Sequence, residues 1–314
     1  MKSLLANVPI QTAFFGIAVF LLGISCFLLG LYLMRWALQN IVGERTKKIL
    51  TTMTQSPFTG VVTGILLATL LQSSSIVLII VINLVNMGAL PLLNGVAIVL
   101  GANLGTSLTL EFIAFSDPLW IIILLALSVL LLIIRKPAYS IATLSLTLVL
   151  GGFWLFKQNA FLLTTMPLNL EQISHWQGHL LTLVGGVVFT AIIQSSTAAT
   201  AFTMTLVDEN IISLLSGVLI VYGSNVGTCS TAVLAALGAS LQAKKIMLYH
   251  VFINILCVLI LLPITPMIVA FLSRVTSDGM QQVAHAQVLF NILTIVFFYP
   301  FIRQHVRMFD RIFK

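Results

Sequence analysis

The stretch Gln72-Ser73-Ser74-Ser75 reads QSSS, and Gln194-Ser195-Ser196-Thr197 repeats it as QSST, each inside an otherwise apolar run. Unpaired polar groups are costly to hold away from water, so two such clusters need a structural reason. The surroundings are those of a membrane protein: 59% of the 314 residues are hydrophobic and 7% charged, against about 25% charged in soluble domains. Long apolar runs at 13–33, 119–134, 246–272 and 283–302 answer to the roughly 20 residues that cross a hydrocarbon core. The chain is polytopic.

Moving outward from QSSS, residues 64–109 align without gaps on 186–231 at an offset of 122, with roughly 17 of 46 positions identical. Shared apolar bias does not explain matches at Gln, Ser, Asn and Gly, including GANLGT (101–106) against GSNVGT (223–228). The chain therefore contains two homologous halves. In each, an apolar arm too short to span leads into the QSS cluster and a second short arm leads out. A further helix follows, interrupted by the two glycines of the G-x-N-x-G-T stretch.

The fold expected is an all-α polytopic membrane protein with two inverted repeats, each a re-entrant helical hairpin with QSS at its tip plus a Gly-broken transmembrane helix. It forms a single transmembrane transporter domain over 1–314. Repeat 1 covers 57–115 (hairpin 57–88, broken helix 91–115) and repeat 2 covers 178–238 (hairpin 178–208, broken helix 211–238). Further spans are expected at 9–34, 119–134, 138–156, 246–272 and 282–302, with a cytoplasmic interfacial helix at 37–56. Three spans between the hairpins make the second enter from the opposite face, an arrangement typical of secondary transporters. With the N-terminus outside and the C-terminus inside, most Lys and Arg, among them Arg35, Lys244, Lys245 and Arg303, face the cytoplasm.

Irregular backbone survives at membrane depth only inside protein or against a polar cavity, so both breaks imply a site. At a hairpin tip the second arm presents free N–H groups, capping serines and the positive end of its dipole, which suit an anion. Carbonyl, Asn, Ser and Thr oxygens at the same depth suit a small hard cation such as Na⁺. Neither motif contains a charged residue. An anion buried there would gain from co-bound cations, which motivates coupling.

The paired QSSS/QSST clusters, each followed by G-x-N-x-G-T, resemble the type II sodium/phosphate cotransporter family. HVFIN (250–254) followed by Pro263, and LFN (289–291) followed by Pro300, add to the likeness, which covers about residues 10–305. The resemblance implies Na⁺-dependent transport of inorganic phosphate by alternating access. Gln72, Ser73, Ser74, Ser75, Gln194, Ser195, Ser196 and Thr197 would bind phosphate. Ser73, Ser75, Asn103, Thr106, Ser195, Thr197, Asn225 and Thr228 would bind Na⁺. Gly101, Gly105, Gly223, Gly227, Asn254 and Asn291 would support them. Partners are phosphate, Na⁺ and the lipid bilayer of the cell's inner membrane. No enzymatic activity, cofactor, transition metal or nucleic acid is expected. The chain departs from the family in lacking the His-Asp pair of electrogenic animal members at 119–134, and in stopping at Lys314 without the soluble domain of some bacterial relatives.

Other readings compete. The glycines can be close-packing G-x-x-x-G faces, and lone serines often only bond within helices. Glu111 is an intramembrane acid or an interfacial carboxylate, and His250 and His285 read as helix contacts. The same scaffold would serve an exporter or channel for sulfate or a small carboxylate. A serine hydrolase is disfavoured, because no G-x-S-x-G elbow is present. Cys26, Cys229 and Cys257 read as packing residues.

Overall fold

The computed structural model describes residues 10–52, 56–114, 117–160 and 176–312, with side chains for 15–41, 56–114, 117–160 and 178–312. Every regular element among them is helical. Six helical stretches are long and apolar enough to cross a membrane.

Helix α1 (Ile10–Thr52) is one 43-residue helix. The expected boundary between a span at 9–34 and an interfacial helix at 37–56 does not exist, because no proline or cap separates them. At 1.5 Å per residue α1 is about 65 Å long, well beyond a hydrocarbon core. Its charged end, carrying Glu44, Arg45, Lys47 and Lys48, thus extends past the apolar segment.

The first repeat comprises α2 (Pro57–Leu71), α3 (Ser74–Asn86) and α4 (Leu92–Ala114). Glycine contacts give their directions. Gly60 meets Ala97, Gly64 meets Ile98 and Ala102, and Gly105 meets Ala68 and Thr69, so α2 and α4 run parallel. Gly95 meets Val81 and Val85, whereas Ser74 and Ser75 lie beside Ala102 and Asn103, so α3 runs antiparallel to α4. The chain therefore reverses at Gln72 and Ser73.

Helices α5 (Pro118–Ile133) and α6 (Pro137–Gln158) lead away from this unit. With 16 residues, α5 is about 24 Å long, short of the roughly 30 Å core, so the expected span at 119–134 falls below the length of a straight crossing. It is joined to α6 by hydrogen bonds from Ser128 Oγ to the Ser140 carbonyl (2.9 Å) and from Ser140 Oγ to the Ser128 carbonyl (2.8 Å). Ile121 and Leu124 pack against the core, and most of its remaining apolar surface is exposed. Helix α6 packs along α1, where Gly23, Gly30 and Gly152 bring the backbones together.

The second repeat comprises α7 (Trp176–Ile193), α8 (Ser196–Asp208), α9 (Leu214–Gly227) and the short α10 (Cys229–Ala235). Its contacts reproduce the first at the same offset. Gly223 faces Leu183 as Gly101 faces Val61, and Gly217 faces Thr203 and Val207 as Gly95 faces Val81 and Val85.

The long helices correct the expectation of two broken spans. Helix α4 runs unbroken through Gly101–Thr106, and its counterpart is interrupted by a single turn residue, Thr228, between α9 and α10. The glycines act by close packing instead. A Cβ at Gly101 or Gly223 would collide with the carbonyl oxygen of Val61 or Leu183. A facing backbone thus compensates the weak helix propensity of glycine.

Helices α11 (Leu241–Leu261), a single 3₁₀ turn (Leu262–Ile264), α12 (Thr265–Val275) and α13 (Gly279–Phe298) complete the bundle. Val283 meets Gly217 and Gln287 meets Asn225, so α13 runs parallel to α9. His285 meets Glu111 and Asn291 meets Asn103, so α13 runs antiparallel to α4. Helices α4 and α9 therefore point in opposite directions. An unanticipated C-terminal helix, α14 (Ile302–Ile312), lays His305 and Phe309 against Tyr249 and Phe252. Burial there pulls the His305 pKa below its ordinary value. Asp310 closes the contact by accepting from Lys245 Nζ at 2.7 Å.

Replacing Gly223 with leucine forces side-chain atoms into the α7 backbone and should lower stability by about 2 kcal/mol or more. Gly185→Ala, where nothing lies within 4 Å of the added carbon, should be neutral or stabilising by up to about 1 kcal/mol. Thermal unfolding of the detergent-solubilised protein separates the two, and equal melting temperatures would contradict the packing role.

Candidate functional site

The two QSS clusters adopt one local structure. Gln72 caps α2 in the left-handed region at φ 51°, and Gln194 does so after α7 at φ 55°. Left-handed backbone is uncommon for a residue with a Cβ, so its occurrence twice points to a constraint on the tip. Ser73 and Ser195 then turn extended and cap the next helices. Ser73 Oγ accepts from the Ile76 N–H and Ser195 Oγ from the Ala198 N–H, each at 3.2 Å. Each cap satisfies one of the free N–H groups at the start of α3 or α8 and leaves others directed outward.

The tips differ in what surrounds them. Gln72 donates from Nε2 to the Thr69 carbonyl at 2.8 Å and accepts a hydrogen bond from Thr109. Gln194 is exposed. The residue matching Thr109 in the second repeat, Thr231, instead crosses to the first tip and pairs with Ser75 Oγ at 3.2 Å. Ser74, Ser75, Asn103, Thr228 and His250 line one cleft, too narrow to admit a water molecule. The structure thus brings the first tip to the α9–α10 junction. Ser195, Ser196 and Thr197 do not line that cleft, and Arg35 Nη2 donates to Ser195 Oγ at 3.2 Å.

Below the tips lies a layer of buried amides. Asn225 and Gln287 exchange two hydrogen bonds of 3.0 Å. Asn103 Nδ2 lies 3.4 Å from His250 Nε2, and its carbonyl accepts from Asn291 Nδ2 at 3.1 Å. Asn254 Nδ2 donates to the His250 carbonyl at 2.8 Å. Thr106 and Thr228 hydroxyls bond back to the carbonyls of Asn103 and Asn225. The α11 and α13 positions repeat at an offset of 37: His250 answers to Gln287 and Asn254 to Asn291. Each repeat's Asn therefore meets the matching polar residue of one helix of this pair.

A model of the Na⁺/Pi-cotransporter family matches residues 26–158 and 169–272. The chain belongs to that family. It is 32% identical over 282 residues to YqeW of Bacillus subtilis, covering 87% of this chain and 91% of that protein. It is 25% identical over 279 residues to YjbB of Escherichia coli K12, which is named for inorganic phosphate export. That match covers 87% of this chain and 51% of YjbB, so the chain spans about half the length of that relative. Over 89 residues, 27% of this chain and 15% of the human protein, it is 36% identical to sodium-dependent phosphate transport protein 2C. No solved structure matches.

Several residues of this polar cluster were not singled out from the sequence. Thr109 and Thr231 are identical at the offset of 122 and carried that signal. Gln287 is visible only once α11 and α13 are aligned. Arg35 lies outside both repeats and reads simply as a topology charge. Glu111, without a counterpart in the second repeat, pairs with His285 Nδ1 at 2.9 Å.

With Cys26, Cys229 and Cys257 replaced by alanine, the double variant Ser75→Cys/Thr231→Cys should form a disulfide under mild oxidation, because the hydroxyls it replaces are in contact. Failure of the pair to crosslink, measured by gel shift after thiol labelling, would contradict the contact between the repeats.

Proposed function

We propose that this chain is a sodium-coupled secondary transporter of inorganic phosphate in the cell's inner membrane. The carrying observation is the twice-built tip, a left-handed Gln followed by a Ser-capped helix N-terminus, in a chain of the Na⁺/Pi-cotransporter family. The tips are re-entrant, since α2 and α3, with 15 and 13 residues, are about 22 and 20 Å long and reverse direction between them. The repeats are inverted, a reading supported by the opposite directions of α4 and α9. The N-terminus lies outside and the C-terminus in the cytoplasm.

Phosphate binds between the tips, with Ser74 and Ser75 on one side and Ser196 and Thr197 on the other. Hydroxyl groups and free helix N–H groups donate to its oxygens. Sodium is held by carbonyl, hydroxyl and amide oxygens of the layer below. Asn254 Oδ1 and Asn291 Oδ1 are buried there without a donor among the described residues, which suits a cation. The narrow cleft at the first tip means that this site opens by separation of the repeats. Alternating access follows when one tip disengages as the other closes. The direction of net flux is set by the two gradients, and outward movement would accord with the name of YjbB.

The test is radiolabelled phosphate flux in proteoliposomes with and without a Na⁺ gradient, with sulfate and a small carboxylate as competitors. Saturable flux that requires Na⁺ and resists both competitors is expected. Ser74→Ala and Ser196→Ala should each reduce it roughly tenfold or more, the effect of removing a hydrogen bond to a charged ligand. Flux without Na⁺ would indicate a channel, and full activity in both variants would contradict the site.

A further inference from the structure

We propose that Arg35 supplies the positive charge of the anion site: its guanidinium, held on Ser195 at the second tip, passes to the phosphate when the anion enters. This deepens the transport reading above and rests on it.

Arg35 lies in the apolar segment Phe15–Ile41 of α1. A charged side chain in such a segment is a functional candidate by default. It reaches 160 residues along the chain to place Nη2 on Ser195 Oγ, a neutral acceptor that already takes the Ala198 N–H. A guanidinium offers five donors. Its Nε is buried without a partner. The ion pairs among the described residues are Lys157–Asp208, Lys245–Asp310 and His285–Glu111, and none includes Arg35. Lys245 shows the contrast: it is more deeply buried, and a carboxylate lies 2.7 Å from its Nζ.

The position of the guanidinium sharpens the point. Ser195 caps the 13-residue helix α8, whose N-terminus carries partial positive charge. Two positive potentials converge on Ser195 with no acidic side chain among the described residues to offset them. A tetrahedral oxyanion resolves the conflict, accepting from the guanidinium fork and the helix N–H groups together. Among the described residues, no cation is bonded to the first tip. There the Thr109 hydroxyl donates to the Gln72 side-chain Oε1, and Ser75 is tied to Thr231. The two tips thus have different tasks, the second receiving the charge of the anion and the first closing over it. Lysine in its place would keep the charge while losing the two-pronged geometry.

The test compares wild type, Arg35→Gln and Arg35→Lys as full chains, by phosphate saturation of Na⁺-driven flux and by the melting shift that phosphate induces in detergent. Loss of one charge-assisted contact predicts that Arg35→Gln raises the KM for phosphate by about 10- to 100-fold. The melting shift should vanish and the KM for Na⁺ should change little. Arg35→Lys should fold and show a smaller rise in the KM for phosphate. A latch with only a structural role would lower the melting temperature equally with and without phosphate and leave the KM for phosphate unchanged. That outcome in Arg35→Gln, or in Arg35→Lys if the glutamine variant does not fold, would overturn the proposal alone. A wild type that neither carries nor is stabilised by phosphate would overturn the transport reading and this assignment with it.

Discussion

In the re-entrant arrangement proposed above, a helix that stops inside hydrocarbon leaves backbone groups that water cannot reach, and the form of the two tips follows from how the chain satisfies them. The cost of an unpaired group there is several kcal/mol, so the ends of α2 and α7 have to be capped by the protein itself. Gln72 and Gln194 turn left-handed, and Ser73 and Ser195 cap the next helices. What these caps leave without an intrahelical partner are further N–H groups at the starts of α3 and α8. The requirement that permits the tip also supplies the donors that the proposed anion site would use.

The tips are held in place by close packing, in which the glycines of α4 and α9 let those helices approach the backbones of α2 and α7. Gly101 and Gly223 rest on carbonyls of the first arms, while Gly95 and Gly217 admit the second arms and the neighbouring helices α11 and α13. Each hairpin's second arm also packs against the other repeat, α3 against α10 and α8 against α4. Each tip therefore packs against a helix of the opposite repeat, the contact through which the proposed alternating access would couple them. The buried amide layer of Asn225 with Gln287 and Asn103 with His250 and Asn291 lies at that junction.

Much of this was legible in the sequence, and the reasons for the exceptions are physical. The repeat, the short arms and the turn at QSS could be read because polar and glycine positions resist apolar drift. The role of the glycines could not, since a glycine that breaks a helix and one that packs against another backbone look alike until the facing helix is known. The same applies to α1, where a cluster of charges suggested a separate element although nothing in the chain stopped the helix. Arg35 was hidden by its plausibility as a topology charge. The correspondence of α11 with α13 rests on a few shared positions, with Asn254 matching Asn291 but His250 replaced by Gln287. Glu111 gained a meaning only when His285 was found beside it.

In the proposed transport cycle the two tips open alternately to opposite sides of the membrane under the control of Na⁺ and phosphate. It is tested most directly by the accessibility of single cysteines at Ser75 and Thr197 in sealed vesicles, labelled from either face with a membrane-impermeant thiol reagent. The account predicts labelling of the two positions from opposite faces, with Na⁺ and phosphate together shifting their rates in opposite directions. Labelling of both from one face, or rates that rise and fall together, would contradict it.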